Sequence, residues 1–356
     1  MARIETFLDF EASLGRIVDR VWTEKAGDAL PALTDAVLAK DGYAANRVLE
    51  ELSIMNEVDA LLPKVRLIMQ ASMLFGAEFA TGTKVNRTAL FKAGDNPLLD
   101  SALIAFKGIV TTALQKSVTK NAGAFVGDLM QADHEAMQEV QKDSQTMEEA
   151  VRAMVLGQGR MMIDIGANLS VSRLVNFGAL YELAAQGYAT YQLNATLDEK
   201  TSQVCRRMHG KKFSVEIALQ QATTALLTTD PAQLRDAAPW IRGNKATLKH
   251  LETASAAELQ SEHRCFPPFH PKCRTIAVKT GDVVVTGNEY TPIVLPTEPA
   301  IATPPPAIAV DPEPGETKPD IEELRPEDEI EHQTIVVDAL KPKKAQPKKP
   351  KPGDPK

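Results

Sequence analysis

The distribution of proline separates a part of this chain that can build a core from a part that cannot. Of the 23 prolines, 15 lie between residues 281 and 356, among them Pro304-Pro305-Pro306. Proline lacks a backbone donor and fixes φ, so a segment this rich in it forms neither long helices nor central strands. We therefore predict a disordered, Pro-rich tail over residues 289–356 and a folded part before it.

Apolar side chains recur at three- and four-residue steps from residue 1 to about 155, which is the period of an amphipathic helix. Asp95-Asn96-Pro97 predicts the start of one such helix, because proline suits a first helical turn. The sequence thus predicts a helical N-terminal region over residues 1–155, ending where Gly157-Gln158-Gly159 interrupts the pattern. The stripes run through residues 4–21, 48–65 and 103–114, and a long helix is predicted over 133–152.

The period changes after a further helical stripe, Leu169–Leu183, which stops at Gly187. Runs typical of strands follow at Tyr188–Leu197, Thr275–Val278 and Val283–Thr286. We predict a small α+β domain over residues 156–288. The predicted fold class is therefore α+β, with a helical N-terminal region, this small domain and the disordered Pro-rich tail.

Charge alternates along the chain although the whole carries only −7. The net charge is −8 over residues 1–199, +7 over 200–279, −12 over 281–340 and +6 over the last sixteen residues, so the tail is acidic and then Lys-rich. The two positive segments can attract an acidic protein surface or double-stranded DNA without sequence preference. Candidate contacts are Arg206, Arg207, Lys211, Lys212, Lys343, Lys344, Lys348 and Lys349.

Several function classes lose support from composition and motifs. Aromatic residues make up only 5% of the chain, too few for a broad base-stacking surface. The sequence carries no P-loop, dinucleotide-binding, zincin or nucleophile-elbow motif. We expect a protein without a membrane partner, since no run approaches about 18 uninterrupted apolar residues. Three cysteines do not make a disulfide framework, which leaves metal ligation or burial.

The segment Asp198–Phe213 carries the first half of the most informative pattern. Cys205 and His209 stand four residues apart and share a face if the segment is helical. Asp198 can cap the turn that begins at Thr201.

The second half is Phe266–Arg274, which contains Pro267, Pro268 and Pro271. These prolines forbid a continuous helix and push the residues before them toward extended geometry. The sequence predicts a rigid elbow that holds His270 and Cys273 three positions apart, folded back against the segment near Cys205.

Cys205, His209, His270 and Cys273 would supply the four ligands of a closed structural zinc site. Three other interpretations stay open. The two thiols can be small buried apolar groups while His270 binds backbone left unpaired by the prolines. They can form a disulfide, or Cys205 can be a catalytic thiol with His209 or His270 as its base.

Together the two halves resemble the C-terminal domain of the Mu F-like phage minor head proteins, also called phage head-morphogenesis proteins. The resemblance covers about residues 160–280 and follows the pattern D-x-x-T-x-x-x-C-x-x-x-x-G-x-x-F, then P-P-x-H-P-x-C-R. It is carried by Asp198, Thr201, Cys205, Gly210 and Phe213, and then by Pro267, Pro268, His270, Pro271, Cys273 and Arg274. Arg274 can reach Asp198 as a charge-assisted pair.

The resemblance implies a minor capsid protein of a tailed phage or prophage, without enzymatic activity, that acts in head assembly and DNA packaging or ejection. Its implied partners are the portal protein and the major capsid or scaffolding protein. It would work in the host cytoplasm and then in the virion head near the portal vertex. The alternatives are a DNA-binding accessory protein and a virion-delivered enzyme resembling ADP-ribosyltransferases, whose acid pairs would be Glu313 with Glu316 or Glu327 with Glu329.

Overall fold

Helices account for most of the backbone that the structure describes. The computed structural model describes residues 2–86, 90, 97–131, 147–229 and 231–280, all within one compact unit. The predicted α+β class takes the form of a mostly helical body with a three-stranded antiparallel sheet.

The helices are α1 Ala2–Leu38, α2 Gly42–Glu51, α3 Met55–Thr81, α4 Pro97–Gly108, a π-helical turn Ile109–Ala113, α5 Leu114–Gln131, α6 Met147–Ala185, α7 Gln203–Met208, α8 Val215–Leu227, α9 Pro231–Ala237, α10 Lys245–Thr253 and α11 Ala256–Ser261. The strands are β1 Thr190–Ala195, β2 Lys212–Ser214 and β3 Thr275–Lys279. Pro97 opens α4 as predicted. The apolar stripe over residues 48–65 is split by Leu52–Ile54 into α2 and α3.

Helix α6 is the centre of the fold. Every residue from Gly166 to Leu180 is buried, because α1, α3, α5, α8 and β3 all pack around it. A helix covered on all sides needs no polar face, which explains why this stretch reads as apolar with only scattered polar residues. It ends near Gly187, whose φ of 79° is a left-handed conformation that glycine adopts easily.

Helices α3 and α6 cross at backbone contact. A Cβ on Gly178 would lie 2.0 Å from the carbonyl oxygen of Met73, and one on Gly76 would lie 1.8 Å from that of Val175. Backbone cannot retreat as a side chain can, so the crossing requires glycine at both positions.

The prediction that Gly157-Gln158-Gly159 interrupts the helix is wrong. Helix α6 runs through these residues, and a Cβ on Gly159 would lie 2.0 Å from the indole Nε1 of the buried Trp22. Gly159 therefore makes room for a large side chain of α1 and does not end a helix. The predicted boundary between residues 155 and 156 falls inside α6.

The sheet has the order β2-β1-β3, with both pairings antiparallel. β1 and β3 confirm the strands predicted over 188–197 and 275–278. The outer edge of β3 is closed by the buried Asn176 of α6. Its amide donates to the carbonyl of Thr275 at 3.1 Å and accepts the N–H of Ala277 at 2.8 Å, as a neighbouring strand would. This pairing joins the sheet to the helical body.

Some predictions fall outside the described residues. They are the strand Val283–Thr286, the helix over 133–146, the Pro-rich tail 289–356, the tail lysines Lys343, Lys344, Lys348 and Lys349, and the acid pairs between Glu313 and Glu329.

One stretch meets the length and composition of a membrane-crossing helix. Pro97–Asp128 has a mean hydropathy of 1.4 over its most apolar window, 39% of which is buried within the protein. The core helix of a soluble protein can meet the same criteria.

Candidate metal centre

Cys205 lies in the first turn of α7, and Ser202 caps that helix. The Ser202 hydroxyl accepts the backbone N–H of Cys205 at 3.1 Å, and the Cys205 side chain is only 3% exposed. A serine at this position satisfies a donor that the helix itself leaves unpaired. Asp198 was expected to cap the turn that begins at Thr201. Its carboxylate accepts the Thr201 hydroxyl at 2.9 Å and so closes the turn before Ser202.

The elbow Phe266–Cys273 is anchored at both ends. Phe266 and Phe269 are buried, and the Phe269 carbonyl accepts the N–H of Ile241 at 2.8 Å. At the other end, the backbone N–H of Lys272 donates to the amide oxygen of Asn168 in α6 at 2.6 Å. His270 and Cys273 therefore project from a segment that is held by Ile241 on one side and by helix α6 on the other.

The elbow folds back on α7, as predicted, and brings three metal-binding side chains together. Cys205 Sγ lies 3.0 Å from His270 Nε2 and 3.6 Å from Cys273 Sγ. The three donor atoms all lie within 4.8 Å of one another, and no disulfide joins the two thiols. Cys205, His270 and Cys273 form a group that can hold a metal ion.

The ring of His270 is oriented by its own chain. Nδ1 lies 2.7 Å from the carbonyl oxygen of Pro271, so this nitrogen must carry a proton and donate it. Nε2 is then the nitrogen that can bind a metal, and it faces Cys205. Histidine ligands of metals commonly hold their second nitrogen in this way, with a backbone carbonyl fixing the tautomer.

The two thiols are electrostatically different. The hydrogen bond donated by Cys273, together with those from His270 and Ser202, lowers the pKa of Cys205 to about 4. Burial first, and then the neighbouring Cys205, raises the pKa of Cys273. Burial opposes charge on His270, but the bond and charge of Cys205 still raise its pKa. These shifts favour the thiolate at Cys205 and the protonated forms of Cys273 and His270.

His209, predicted as the fourth ligand, lies outside the group of donor atoms. It follows Met208, the last residue of α7, and its backbone N–H still donates to the carbonyl of Cys205. Its Nδ1 accepts the backbone N–H of Ala195 at 3.1 Å. His209 fastens α7 to the end of β1.

Asp198 and Arg274 form the charge-assisted pair expected from the sequence. The two guanidinium nitrogens of Arg274 donate to the two carboxylate oxygens of Asp198 at 2.8 and 2.6 Å. This bidentate arrangement joins the turn before α7 to the residue after Cys273. The Arg274 bond holds the pKa of Asp198 well below its usual range.

The remaining motif residues have structural roles. Gly210 has φ of 80°, and its N–H donates to the carbonyl of Leu193 at 2.8 Å, a turn that only glycine makes without strain. Phe213 is buried against Tyr191, with ring centroids 6.0 Å apart. Pro267 and Pro268 are joined by a cis peptide bond. Pro271 supplies the carbonyl that orients His270.

The cationic residues of α7 are largely engaged within the chain. Arg206 donates to the carbonyls of Thr201 and Asp198, and Arg207 pairs with Glu252 of α10 at 2.8 Å. Both stabilise the fold locally, which removes support from a phosphate-binding role for them. Lys211 and Lys212 lie beyond α7, at the start of β2.

The catalytic-thiol hypothesis finds its Cys–His pair here, but the surroundings favour ligation. Cys205 is buried, Cys273 Sγ lies 3.6 Å from its sulfur, and the adjoining cavity of about 20 Å³ admits water or a group of similar width but no larger substrate. A nucleophile needs space for a substrate at that sulfur. Cys265, the third thiol, is elsewhere and donates to the amide oxygen of Gln221 at 2.9 Å.

Sequence reasoning missed three residues that support the site. Asn168 binds the elbow and also donates to the Glu11 carboxyl of α1 at 2.6 Å, and burial raises the pKa of Glu11 to about 7. Ser202 touches both Cys205 and His270, with its hydroxyl 2.7 Å from Nε2. The polar residues within an apolar stretch of α6, Asn168 among them, were a sequence signal of such a role.

The distance between the two sulfur atoms is close to that of a tetrahedral centre. With metal–sulfur bonds of about 2.3 Å, two thiolates of such a site lie about 3.8 Å apart. Cys205 and Cys273 lie 3.6 Å apart, so small side-chain shifts suffice. A cavity of about 20 Å³ adjoins the group, and its lining includes Ser202, Cys205, His270, Lys200 and Arg274.

Comparison of the chain with protein-family models, with curated proteins and with solved structures finds no match. The closure of the elbow on α7 through Cys205, His270 and Cys273 is thus the observation on which a functional conclusion can rest.

Proposed function

We propose that this chain is a minor head protein of a tailed phage or prophage, built around a Mu F-like assembly module and associated with the portal and procapsid. One observation carries the proposal. The two halves of the motif, more than fifty residues apart in the chain, close on each other through Cys205 with His270 and through Asp198 with Arg274. A module of this kind would present a fixed surface to the portal, coat or scaffolding protein.

The anchoring of the elbow supports a structural role. The charged and glycine residues of the motif make contacts within the chain, among them the Asp198–Arg274 pair and the turn at Gly210. Such contacts suit a rigid docking element, because a segment that is already ordered loses less conformational entropy when a partner binds. We place the protein in the host cytoplasm during assembly and in the virion head afterwards.

Procapsid association tests this proposal. The full chain is produced together with the portal, scaffolding and major capsid proteins of a tailed phage, and particles are separated by sedimentation. We expect the chain at low copy number in procapsids and in virions. Its absence from both would refute the proposal, and Gly157→Ala, an exposed and uncrowded position, serves as a variant that should still assemble.

We further infer that a metal ion held by this group is zinc. Two thiolates and one imidazole are donors that zinc prefers, and the ion would tie the elbow to α7. Metal analysis of the purified full chain should give about one zinc per chain, and chelation should lower the midpoint of thermal unfolding.

Cysteine variants separate ligation from burial. Cys273→Ser should lose the zinc, whereas Cys265→Ser should keep it, because both thiols are fully buried but only Cys273 belongs to the group. Equal metal content in the two variants would exclude this site as the place where zinc binds.

A further inference from the structure

We propose that a metal ion held by Cys205, His270 and Cys273 keeps one coordination position open toward the adjoining cavity, where it takes water or a small monodentate anion. The inference rests on the metal centre proposed above and concerns its fourth ligand. It distinguishes a centre with an exchangeable position from the closed four-ligand centre that the sequence suggested.

Within the described part of the chain, the group has three members. The two side chains that could have completed it are engaged elsewhere. His209 accepts the N–H of Ala195, and the Asp198 carboxylate is held by both guanidinium nitrogens of Arg274. Zinc and cobalt(II) in such sites bind four ligands, and three protein donors leave one position for solvent or another small molecule.

The cavity lies where that fourth ligand would bind. Cys205 and His270 line it, as does the Ser202 hydroxyl, which is 2.7 Å from His270 Nε2. Its volume of about 20 Å³ suits one water molecule or a group of similar width. The Ser202 hydroxyl can form a hydrogen bond with a ligand there once Nε2 is bound to the metal.

The charges around the cavity favour an anion. Two thiolates neutralise a divalent ion, and Asp198 neutralises Arg274. Lys200 and Lys272 also line the cavity, and because Lys272 interacts with the carboxyl groups of Glu11 and Asp164, Lys200 supplies the positive charge. The local potential is then positive, which attracts a small anion in competition with water.

Cobalt(II) provides a direct probe of the fourth position, because its visible bands change when a ligand is exchanged and its thiolate charge-transfer band reports the cysteines. The full chain is loaded with cobalt(II) and titrated with azide. We expect a charge-transfer band and a saturable change in the visible bands. In Lys200→Gln, azide should bind several-fold more weakly, whereas Lys249→Gln on α10 should leave the azide affinity unchanged.

Ser202→Cys tests the geometry in the opposite direction. A thiolate at this position would become the fourth ligand, so the charge-transfer band should grow with the added sulfur and azide should no longer change the spectrum. Ser214→Cys is the matched control, since Ser214 caps α8 as Ser202 caps α7 but lies outside the group.

The outcomes separate this inference from the proposal beneath it. Absence of a thiolate charge-transfer band in the parent chain would overturn the metal centre and the open position together. A normal band with a spectrum that azide does not change would leave the metal centre standing and overturn the open position.

Discussion

The crossing of α3 with α6 and the closure of the elbow on α7 both hold distant segments together, but by opposite means. At the crossing, Gly76 and Gly178 let two backbones touch, so shape alone decides the contact. At the elbow, the Asp198–Arg274 pair and the Cys–His group decide it. The first region should respond to added volume, and the second to pH, charge and metal. Each prediction below tests that difference.

The largest effect should come from Gly178→Ala. The new Cβ would lie 2.0 Å from the Met73 carbonyl oxygen, and backbone would have to move, which should cost about 3 kcal/mol or more of the free energy of unfolding. Gly157→Ala in the same helix meets nothing within 4 Å and should gain about 0.5–1 kcal/mol. Denaturant unfolding measures both, and similar values for the two would contradict the crossing.

Asn176 joins the two regions, and its loss should be the next most costly. Asn176→Ala would leave the carbonyl of Thr275 and the N–H of Ala277 unpaired in the core, which should remove about 2–3 kcal/mol. Asn121→Ala removes only half-buried side-chain bonds and should cost less than about 1 kcal/mol. Equal losses would show that the edge of β3 does not depend on the amide.

Glu11 should give a pH-dependent effect of up to about 3 kcal/mol. Burial raises its pKa to about 7 in the folded chain, above the value of 4.5 expected when unfolded. Stability linked to this group is therefore complete below pH 4.5 and is lost as the pH rises through 7. Glu11→Gln should make the chain more stable than the parent at pH 8, and the gain should disappear at pH 4.

An opposite-sign control is available in the same helical body. The Lys25 hydrogen bond lowers the pKa of Glu57, so Glu57→Gln should reduce stability at pH 8. A gain in both variants at pH 8 would mean that removing any carboxylate helps, and not the buried one specifically.

The smallest effect should come from Arg274, because the side chain of its partner Asp198 is 40% exposed to water, which weakens the pair. Arg274→Ala should lower the midpoint of thermal unfolding slightly, and Arg274→Lys should recover only part of it, since lysine cannot bind both oxygens. The Arg274 bond keeps the pKa of Asp198 low, so the difference from the parent should persist above about pH 4 and shrink below it. A difference that does not depend on pH would argue for lost packing instead.

Much of the helical region was predictable, because burial on one face leaves a three- and four-residue period in the sequence. The strands β1 and β3 and the helix start at Pro97 were readable for similar local reasons. The continuity of α6 was not readable, because a pair of glycines looks the same whether it ends a helix or admits a side chain. What decided it is Trp22, which is far away in the sequence.

The site was predictable as far as local geometry carries. Three of the four proposed ligands come together, and the Asp198–Arg274 pair was expected from the same two segments. His209 lies outside the group, and its partner, the backbone N–H of Ala195 in β1, could not be foreseen from the spacing of Cys205 and His209. Ser202 and Asn168 were missed because an N-cap serine and a helical asparagine are ordinary until their partners are known.

Helix α6 also limits where this chain can be cut into parts that fold. Its 39 residues span about 58 Å. Asn168 binds Glu11 of α1, and Asn176, further along the same helix, binds Thr275 of β3. A cut near residue 155 would fall inside this buried helix and not in a linker. A fragment that carries either end of the chain would therefore need the whole of α6 to cover its apolar surface.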